Sequence, residues 1–216
     1  MEKTLRYKLV GAPLIPFTMH FVKQINGLEN VPENGKFVVV ANHESYIDPP
    51  IIKAIFDRNF NVVVHFLTKK EAYNNLFKNF FFESVGTIKV NRGKKDDDAI
   101  KLAVKKIKHG FPIGIFPEGT RSKDGNLHRG KTGAVRIALL AKCPIIPVGI
   151  NNTYELWPPN RKFPKYKKEV VVNIGKPINL SKYHNKKISK KLLRKITDEI
   201  MIEISNLSNQ KYLFNS

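Results

Sequence analysis

The stretch VVVANHESYIDPPII, residues Val38–Ile52, joins a run of β-formers to the start of a helix through a short polar segment. Consecutive valines are typical of a buried strand. Pro49 and Pro50 are typical of the first turn of a helix. Between these two signals lie His43 and Asp48, an imidazole and a carboxylate five residues apart. The stretch therefore predicts a strand–loop–helix unit with titratable side chains where the strand ends.

Two roles are open for Asp48. An aspartate before proline commonly caps the helix that follows. A loop that folds back would also let this carboxylate accept the Nδ1 proton of His43 and leave Nε2 free as a base. Neutral imidazole, with an unperturbed pKa of about 6.5, can take a proton from an alcohol near neutral pH. The His43–Asp48 pair alone does not decide between a structural and a catalytic role, because a histidine at the end of a strand is often structural.

Strand-like and helix-like stretches alternate along the chain. Strands are predicted at 36–41, 60–67, 87–91, 112–116, 144–150 and 169–174. Helices are predicted at 49–56, 69–82, 96–110, 132–142 and 188–207. This alternation predicts a single α/β domain with a largely parallel mixed β-sheet flanked by helices. Catalytic or binding groups are then expected in loops at the carboxyl ends of the strands.

The chain divides by composition into three parts. Residues 1–26 form a short apolar membrane-proximal segment, in which the proline-broken run Leu9–Val22 is shorter than the roughly 20 residues that a membrane-spanning helix needs. This run can lie on a membrane or pack on the domain. Residues 27–180 are predicted to form the core of the domain. Residues 181–216 are predicted to form a basic amphipathic helix packed on that core.

The charge balance favours a polyanionic partner. The chain has 38 Lys and Arg against 18 Asp and Glu, a formal net charge of +20. An anionic membrane and a nucleic acid both fit this surplus, and the abundance of Lys, Asn and Ile also fits coding bias in an AT-rich genome.

Cysteine and histidine usage excludes several kinds of site. A single cysteine, Cys143, excludes an internal disulfide, and its apolar neighbours predict a core residue rather than a nucleophile. The six histidines are dispersed without ligand spacing, so no metal site is expected.

Two further loops carry an arginine just after a predicted strand. GTIKVNRG ends in Arg92, and FPEGTRS contains Gly119 and Arg121. Two guanidinium groups at the same sheet edge as His43 would suit a phosphate, which arginine binds bidentately. Gly119 would let the backbone approach a ligand closely. The alternative is two solvated arginines beside an ordinary turn.

Four blocks of the sequence together resemble one family. NHESYID resembles the NHx4D motif of the 1-acylglycerol-3-phosphate acyltransferase family, within the wider glycerolipid acyltransferase superfamily. GTIKVNR resembles its second block, FPEGTRS its third and IIPVGI its fourth. The order and spacing of the blocks also fit, and the resemblance runs from about Gly27 to Ile178. It implies a glycerolipid acyltransferase-like fold, with residues 27–180 as the acyltransferase catalytic core.

The resemblance implies roles for eight residues. His43 is the general base that deprotonates the acceptor hydroxyl, and Asp48 orients it, so that the acyl group is transferred directly without a protein nucleophile. The implied phosphate-binding residues are Arg92, Arg121 and Lys69. The implied loop-shaping residues are Glu118, Gly119 and Thr120. Backbone N–H groups near His43 or in the Glu118 loop are expected to stabilise the oxyanion.

The resemblance also implies the substrates. The acyl donor is acyl-CoA or acyl carrier protein, with no cofactor, and the acceptor is the sn-2 hydroxyl of 1-acylglycerol 3-phosphate, which gives phosphatidic acid. Glycerol 3-phosphate or another lysophospholipid is the alternative acceptor. The expected partners are a lysophospholipid and an anionic membrane surface, which places the chain peripherally on the cytoplasmic face. A basic nucleic-acid-binding protein is the less favoured hypothesis, because it leaves the four blocks without a role, and no nucleic acid is expected.

Overall fold

The computed structural model describes residues 4–33, 35–90, 96–184 and 186–214, without the side chains of Lys69, Ala72 and Asp96. The strands of the described chain are β1 Val22–Asn26, β2 Val38–Ala41, β3 His65–Lys69, β4 Ile88–Val90, β5 Ile113–Ile115, β6 Ile145–Asn151 and β7 Val170–Ile174. Its α-helices are α1 Leu14–His20, α2 Asp48–Phe60, α3 Leu76–Ser84, α4 Asp96–Lys108, α5 Gly133–Ala141, α6 Thr153–Leu156 and α7 Lys190–Ser208.

The strands form one seven-stranded sheet in the order β1-β7-β6-β2-β5-β3-β4. Strands β6, β2, β5, β3 and β4 are all parallel. β7 runs antiparallel to β6, and β1 runs parallel to β7. The prediction of an α/β domain with a largely parallel mixed sheet is confirmed. The carboxyl ends of the five parallel strands meet at one edge.

Two apolar cores cover the two faces of the sheet. Val38 and Val40 of β2 pack into a core with α4, α5 and α7, whereas Val39 and Ala41 pack into a second core with α2. Successive side chains of a strand point to opposite faces. Burial on both faces explains why this strand is an uninterrupted apolar run rather than an alternating one.

The element boundaries differ from the predicted ones on either side of β3. Helix α2 continues to Phe60 and ends where Asn61 adopts a left-handed conformation with φ 54°. The second strand therefore begins at His65 rather than at Phe60. The helix predicted over 69–82 begins only at Leu76, because the preceding asparagine side chain caps its first turn.

The core was predicted to start at residue 27, but the sheet already begins at Val22. Strand β1, which the sequence analysis did not predict, pairs with β7 from Val22 to Asn26. At the other end of the chain, α7 packs on β6, where a Cβ added to Gly149 would lie 2.3 Å from the carbonyl carbon of Leu207. Within the described ranges, no helix is both long and apolar enough to cross a membrane.

Candidate active site

Strand register brings two of the predicted loops together. Val40 of β2 is paired with Ile115 of β5, so His43 and Glu118 each lie three residues beyond the same rung of the sheet. The N–H of His43 donates to Oε1 of Glu118 at 2.8 Å, and the N–H of Ser122 donates to the carbonyl of His43 at 2.7 Å. The NHESYID and FPEGTRS segments are thus joined directly.

His43 and Asp48 form a hydrogen-bonded pair. Nδ1 of His43 lies 2.8 Å from Oδ2 of Asp48, which also accepts the N–H groups of Glu44 and Ser45 at 2.7 Å. Asp48 is fully buried and is the first residue of α2. Its interpretation as the helix cap was wrong: Ile47 is the capping residue, and the carboxylate turns back to the loop. The pair leaves Nε2 as the ring nitrogen available to a substrate.

Glu118 connects the His43 loop to its own loop. Its Oε1 accepts the N–H of His43, and its Oε2 accepts the N–H of His128 at 3.1 Å. Burial, with a smaller contribution from the charges of Glu44 and Asp48, raises the pKa of this carboxyl to about 8 against the lowering effect of the two N–H donors. A single buried side chain thus fixes two backbone segments.

Glu44 is a site residue that the sequence analysis missed. Its carboxylate accepts hydrogen bonds from Asn42 Nδ2 at 3.2 Å, from the N–H of Tyr154 at 3.3 Å and from Gln210 Nε2. Burial, followed by the charge of Asp48, raises its pKa to about 7. Its position between the histidine and the aspartate was the only signal in the sequence, since its partners lie far along the chain.

The Glu118 loop then presents a glycine and an arginine. Gly119 has a φ of +76°, and a Cβ there would lie 2.8 Å from Nζ of Lys131. The guanidinium carbon of Arg121 lies 3.6 Å from the centroid of the Tyr46 ring. Nη1 of Arg121 is buried and has no hydrogen-bond partner among the described residues. Such a donor is available to an anionic ligand.

These side chains share one cavity of about 550 Å³. His43, Thr120 and Arg121 line it together. The apolar part of its lining includes Leu14, Ile15, Ala54, Phe66, Phe81 and Phe82. The cavity therefore combines a potential base, a cation and walls suited to a hydrocarbon chain.

A row of stacked rings leads inward from His43. Its ring centroid lies 3.9 Å from that of Phe116, which lies 5.1 Å from that of Phe66. Gly114 makes this row possible, because a Cβ there would lie 2.5 Å from the Phe66 ring. Lys53, also missed by the sequence analysis, lies beside the inner end of the row, with Nζ 5.9 Å from the Phe66 centroid.

Three further residues were singled out in the sequence: Arg92, Lys69 and Cys143. Arg92 lies outside the described residues. Lys69 is the last residue of β3 and pairs with Val90 at the end of β4, but its side chain is outside the description. Cys143 is buried, and burial raises its pKa to about 12, which makes it a poor nucleophile.

Comparisons with known proteins agree on one kind of enzyme. Residues 23–151 match the model of a family described as Acyltransferase. A Bacillus subtilis protein named 1-acyl-sn-glycerol-3-phosphate acyltransferase is 29% identical over 189 residues, which cover 84% of this chain and 86% of that protein. A Borreliella burgdorferi protein of the same name is 33% identical over 60% of this chain, but the match spans only about half, 51%, of its length. The crystal structure of the 1-acyl-sn-glycerophosphate (LPA) acyltransferase PlsC from Thermotoga maritima matches with a TM-score of 0.69 and 26% identity, covering 96% of this chain and 80% of that one.

Proposed function

The chain belongs to the acyltransferase family, and on that premise we propose that it transfers a fatty acyl group from acyl-CoA or acyl carrier protein to the sn-2 hydroxyl of 1-acylglycerol 3-phosphate. The product is phosphatidic acid. The observation that carries this proposal is that His43, paired with the buried Asp48, lines one largely apolar cavity together with Arg121. The proteins named above supply the acceptor, since their names specify a 1-acylglycerol phosphate.

The reaction is a direct transfer with His43 as base and then acid. Nε2 of His43 accepts the proton of the acceptor hydroxyl while the oxygen of that hydroxyl attacks the thioester carbonyl carbon. The tetrahedral intermediate collapses, the carbon–sulfur bond breaks, and the leaving thiolate takes the proton from Nε2. Asp48 holds the ring through Nδ1 and stabilises the imidazolium that forms between these steps.

Arg121 is proposed to bind the acceptor phosphate. Its unpartnered Nη1 can donate to a phosphate oxygen, and the Tyr46 ring beneath the guanidinium holds it in one plane. Arg92 and Lys69 remain predicted contacts of the same phosphate. The apolar walls of the cavity would hold the acyl chain.

Existing hydrogen bonds exclude several backbone N–H groups as donors to the oxyanion. The backbone N–H groups of residues 43, 44 and 45 all donate to buried carboxyl groups. These three groups are therefore not free to stabilise a developing negative charge. The Glu118 loop remains as the expected location.

An apolar and basic surface supports docking on an anionic membrane. Leu5, Leu9, Leu76 and Phe77, here called the outer face, are exposed on the N-terminal segment and α3. The Arg6 guanidinium joins the two segments, since it lies 5.7 Å from the ring centroid of Phe80 in α3. Arg6, Lys8 and Lys78, on the same two segments, are also exposed and add positive charge. Both segments also line the cavity, so a docked chain would receive its lipid directly.

The test is an acyl-transfer assay with a panel of acceptors and two substitutions at the paired residues. We expect transfer to 1-acylglycerol 3-phosphate to exceed transfer to glycerol 3-phosphate. His43→Ala should lower kcat about a thousandfold and Asp48→Asn about a hundredfold or more. His109→Ala, at an exposed histidine just beyond α4, is the matched control and should leave kcat unchanged. A folded His43→Ala variant that keeps most of the rate would refute the proposed base, and faster transfer to glycerol 3-phosphate would refute the proposed acceptor.

A further inference from the structure

Lys53 places an amine inside the apolar part of the cavity. The residue lies on α2, about 7.5 Å along the helix axis from Asp48, and its exposed fraction is 8%. Its Nζ donates to the carbonyl of Val85, the residue just after α3, and the side chain lines the cavity. Burying an ammonium group beside hydrocarbon is costly.

The row of rings separates Lys53 from His43. Phe116 stacks on His43 with planes 15° apart, and Phe66 stacks on Phe116 with planes 14° apart. Nζ of Lys53 lies 5.9 Å from the centroid of Phe66, the ring of the row that does not contact His43 directly. An acyl chain whose carbonyl is at His43 and which extends along these rings therefore meets the amine only when it is long enough.

Burial lowers the pKa of Lys53 to about 7. The titratable groups on the neighbouring elements are Tyr7 before α1, Asp57 one turn further along α2, Glu83 in α3, His65 in β3 and Lys106 in α4. Asp57 accepts the hydroxyl proton of Tyr7 at 2.6 Å, and Glu83 lies 3.4 Å from Arg6. Burial, with the charges of Lys53 and Lys106, lowers the pKa of His65 to about 4, so His65 is neutral where Lys53 titrates.

We propose that Lys53 is a specificity-determining residue that disfavours long acyl chains at the inner end of the cavity. The inference rests on the proposed function, because it requires the acyl chain to lie along the ring row. A charged amine opposes burial of methylene groups against it more strongly than a neutral amine does. Discrimination should therefore be strongest below neutral pH.

The experiment compares kcat/KM for hexadecanoyl and decanoyl donors, as acyl-CoA and on acyl carrier protein. Lys53→Met replaces the amine by an apolar side chain of similar length and should raise the long-to-short ratio about tenfold. Lys53→Arg keeps a charge that does not titrate, so its ratio should stay low at every pH. Lys108→Met, at an exposed lysine that ends α4, is the control and should not change the ratio.

The pH series separates electrostatics from packing. In the wild type the long-to-short ratio should rise as the pH passes through about 7, whereas in Lys53→Met it should be flat. The ratio cancels other titrations around His43, since both donors meet the same base. A ratio that Lys53→Met leaves unchanged overturns the proposal. If that variant does not fold, a wild-type ratio that is independent of pH overturns it. Absence of transfer from every donor would instead refute the proposed function.

Discussion

Glu118 joins two loops through one buried carboxyl group. Its two oxygens accept backbone N–H groups of His43 and His128, so His43 and the loop carrying Arg121 are held together. Burial makes this group titrate at about 8 instead of its unfolded value of about 4.3. The same contact that organises the site therefore makes stability depend on pH.

The pH dependence has a defined sign. Between about 4.3 and about 8, the unfolded chain has lost the Glu118 proton while the folded chain retains it, so rising pH favours unfolding. Glu118→Gln removes this titration. The free energy of unfolding of the variant, relative to wild type, should thus rise across that window and level off outside it, as measured by urea unfolding at a series of pH values.

The Gln variant loses one backbone acceptor, but that cost does not vary with pH. Glu44, with a pKa of about 7, titrates in both proteins, and its charge adds to the Glu118 pKa shift that the variant removes. Glu29→Gln, at an exposed glutamate, is the control and should give a constant difference. Parallel curves for Glu118→Gln and wild type would show that the carboxyl is not held neutral by burial.

At this scale the sequence pointed to the hydrogen-bonded pair of His43 and Asp48 but not to its surroundings. His43 and Asp48 stand out because a histidine and an aspartate follow a buried strand closely. Lys53 did not stand out, because a lysine within a helix is usually solvated. Its burial depends on Val85 and on N-terminal residues that fold over it from distant parts of the chain. No local pattern reports such a contact.

Strand β5 controls the shape of the cavity through a residue without a side chain. Gly114 lies opposite Phe66 of β3 in the strand register, and the Phe66 ring occupies the space above it. We expect Gly114→Ala to push this ring into the cavity and lower the free energy of unfolding by about 1–3 kcal/mol. The acyl-transfer rate should fall as well, because the ring row starting at His43 would shift.

The matched control for this change is Gly133→Ala at the start of α5. A Cβ there would have no neighbour within 4 Å, so the variant should be as stable as wild type or up to about 1 kcal/mol more stable. Urea unfolding and a rate measurement on both variants give the comparison. Equal stability of the two would mean that Phe66 is not packed on Gly114.

At the scale of elements, the sequence predicted the strands inside the sheet better than the edge strand β1. The strands buried on both faces are apolar runs and were all found. β1 was missed, because only Val22 of its five residues is buried and its polar residues lack the expected pattern. The order of the strands in the sheet could not be predicted either, because a sequence indicates which segments are strands but not which of them become neighbours.

At the scale of the whole molecule, a large positive net charge is combined with exposed apolar side chains on the outer face. The net charge of +20 favours binding to any polyanion, whereas the proposed membrane contact of the outer face would add burial of apolar side chains in lipid. The two contributions can be separated, because salt screens the first and not the second.

Phe77→Ser should weaken binding to vesicles of phosphatidylcholine and phosphatidylglycerol about tenfold, since one large side chain would no longer enter the lipid. Phe77 is 77% exposed on α3, so the substitution should not alter the melting temperature. Leu140→Ser is the control: this side chain is 47% exposed on α5, which packs on the opposite face of the sheet. Cosedimentation at low and high salt should show salt-sensitive binding in all three proteins and the tenfold loss only in Phe77→Ser. An equal loss in both variants, or tight binding of both to pure phosphatidylcholine, would place the membrane contact elsewhere on the molecule.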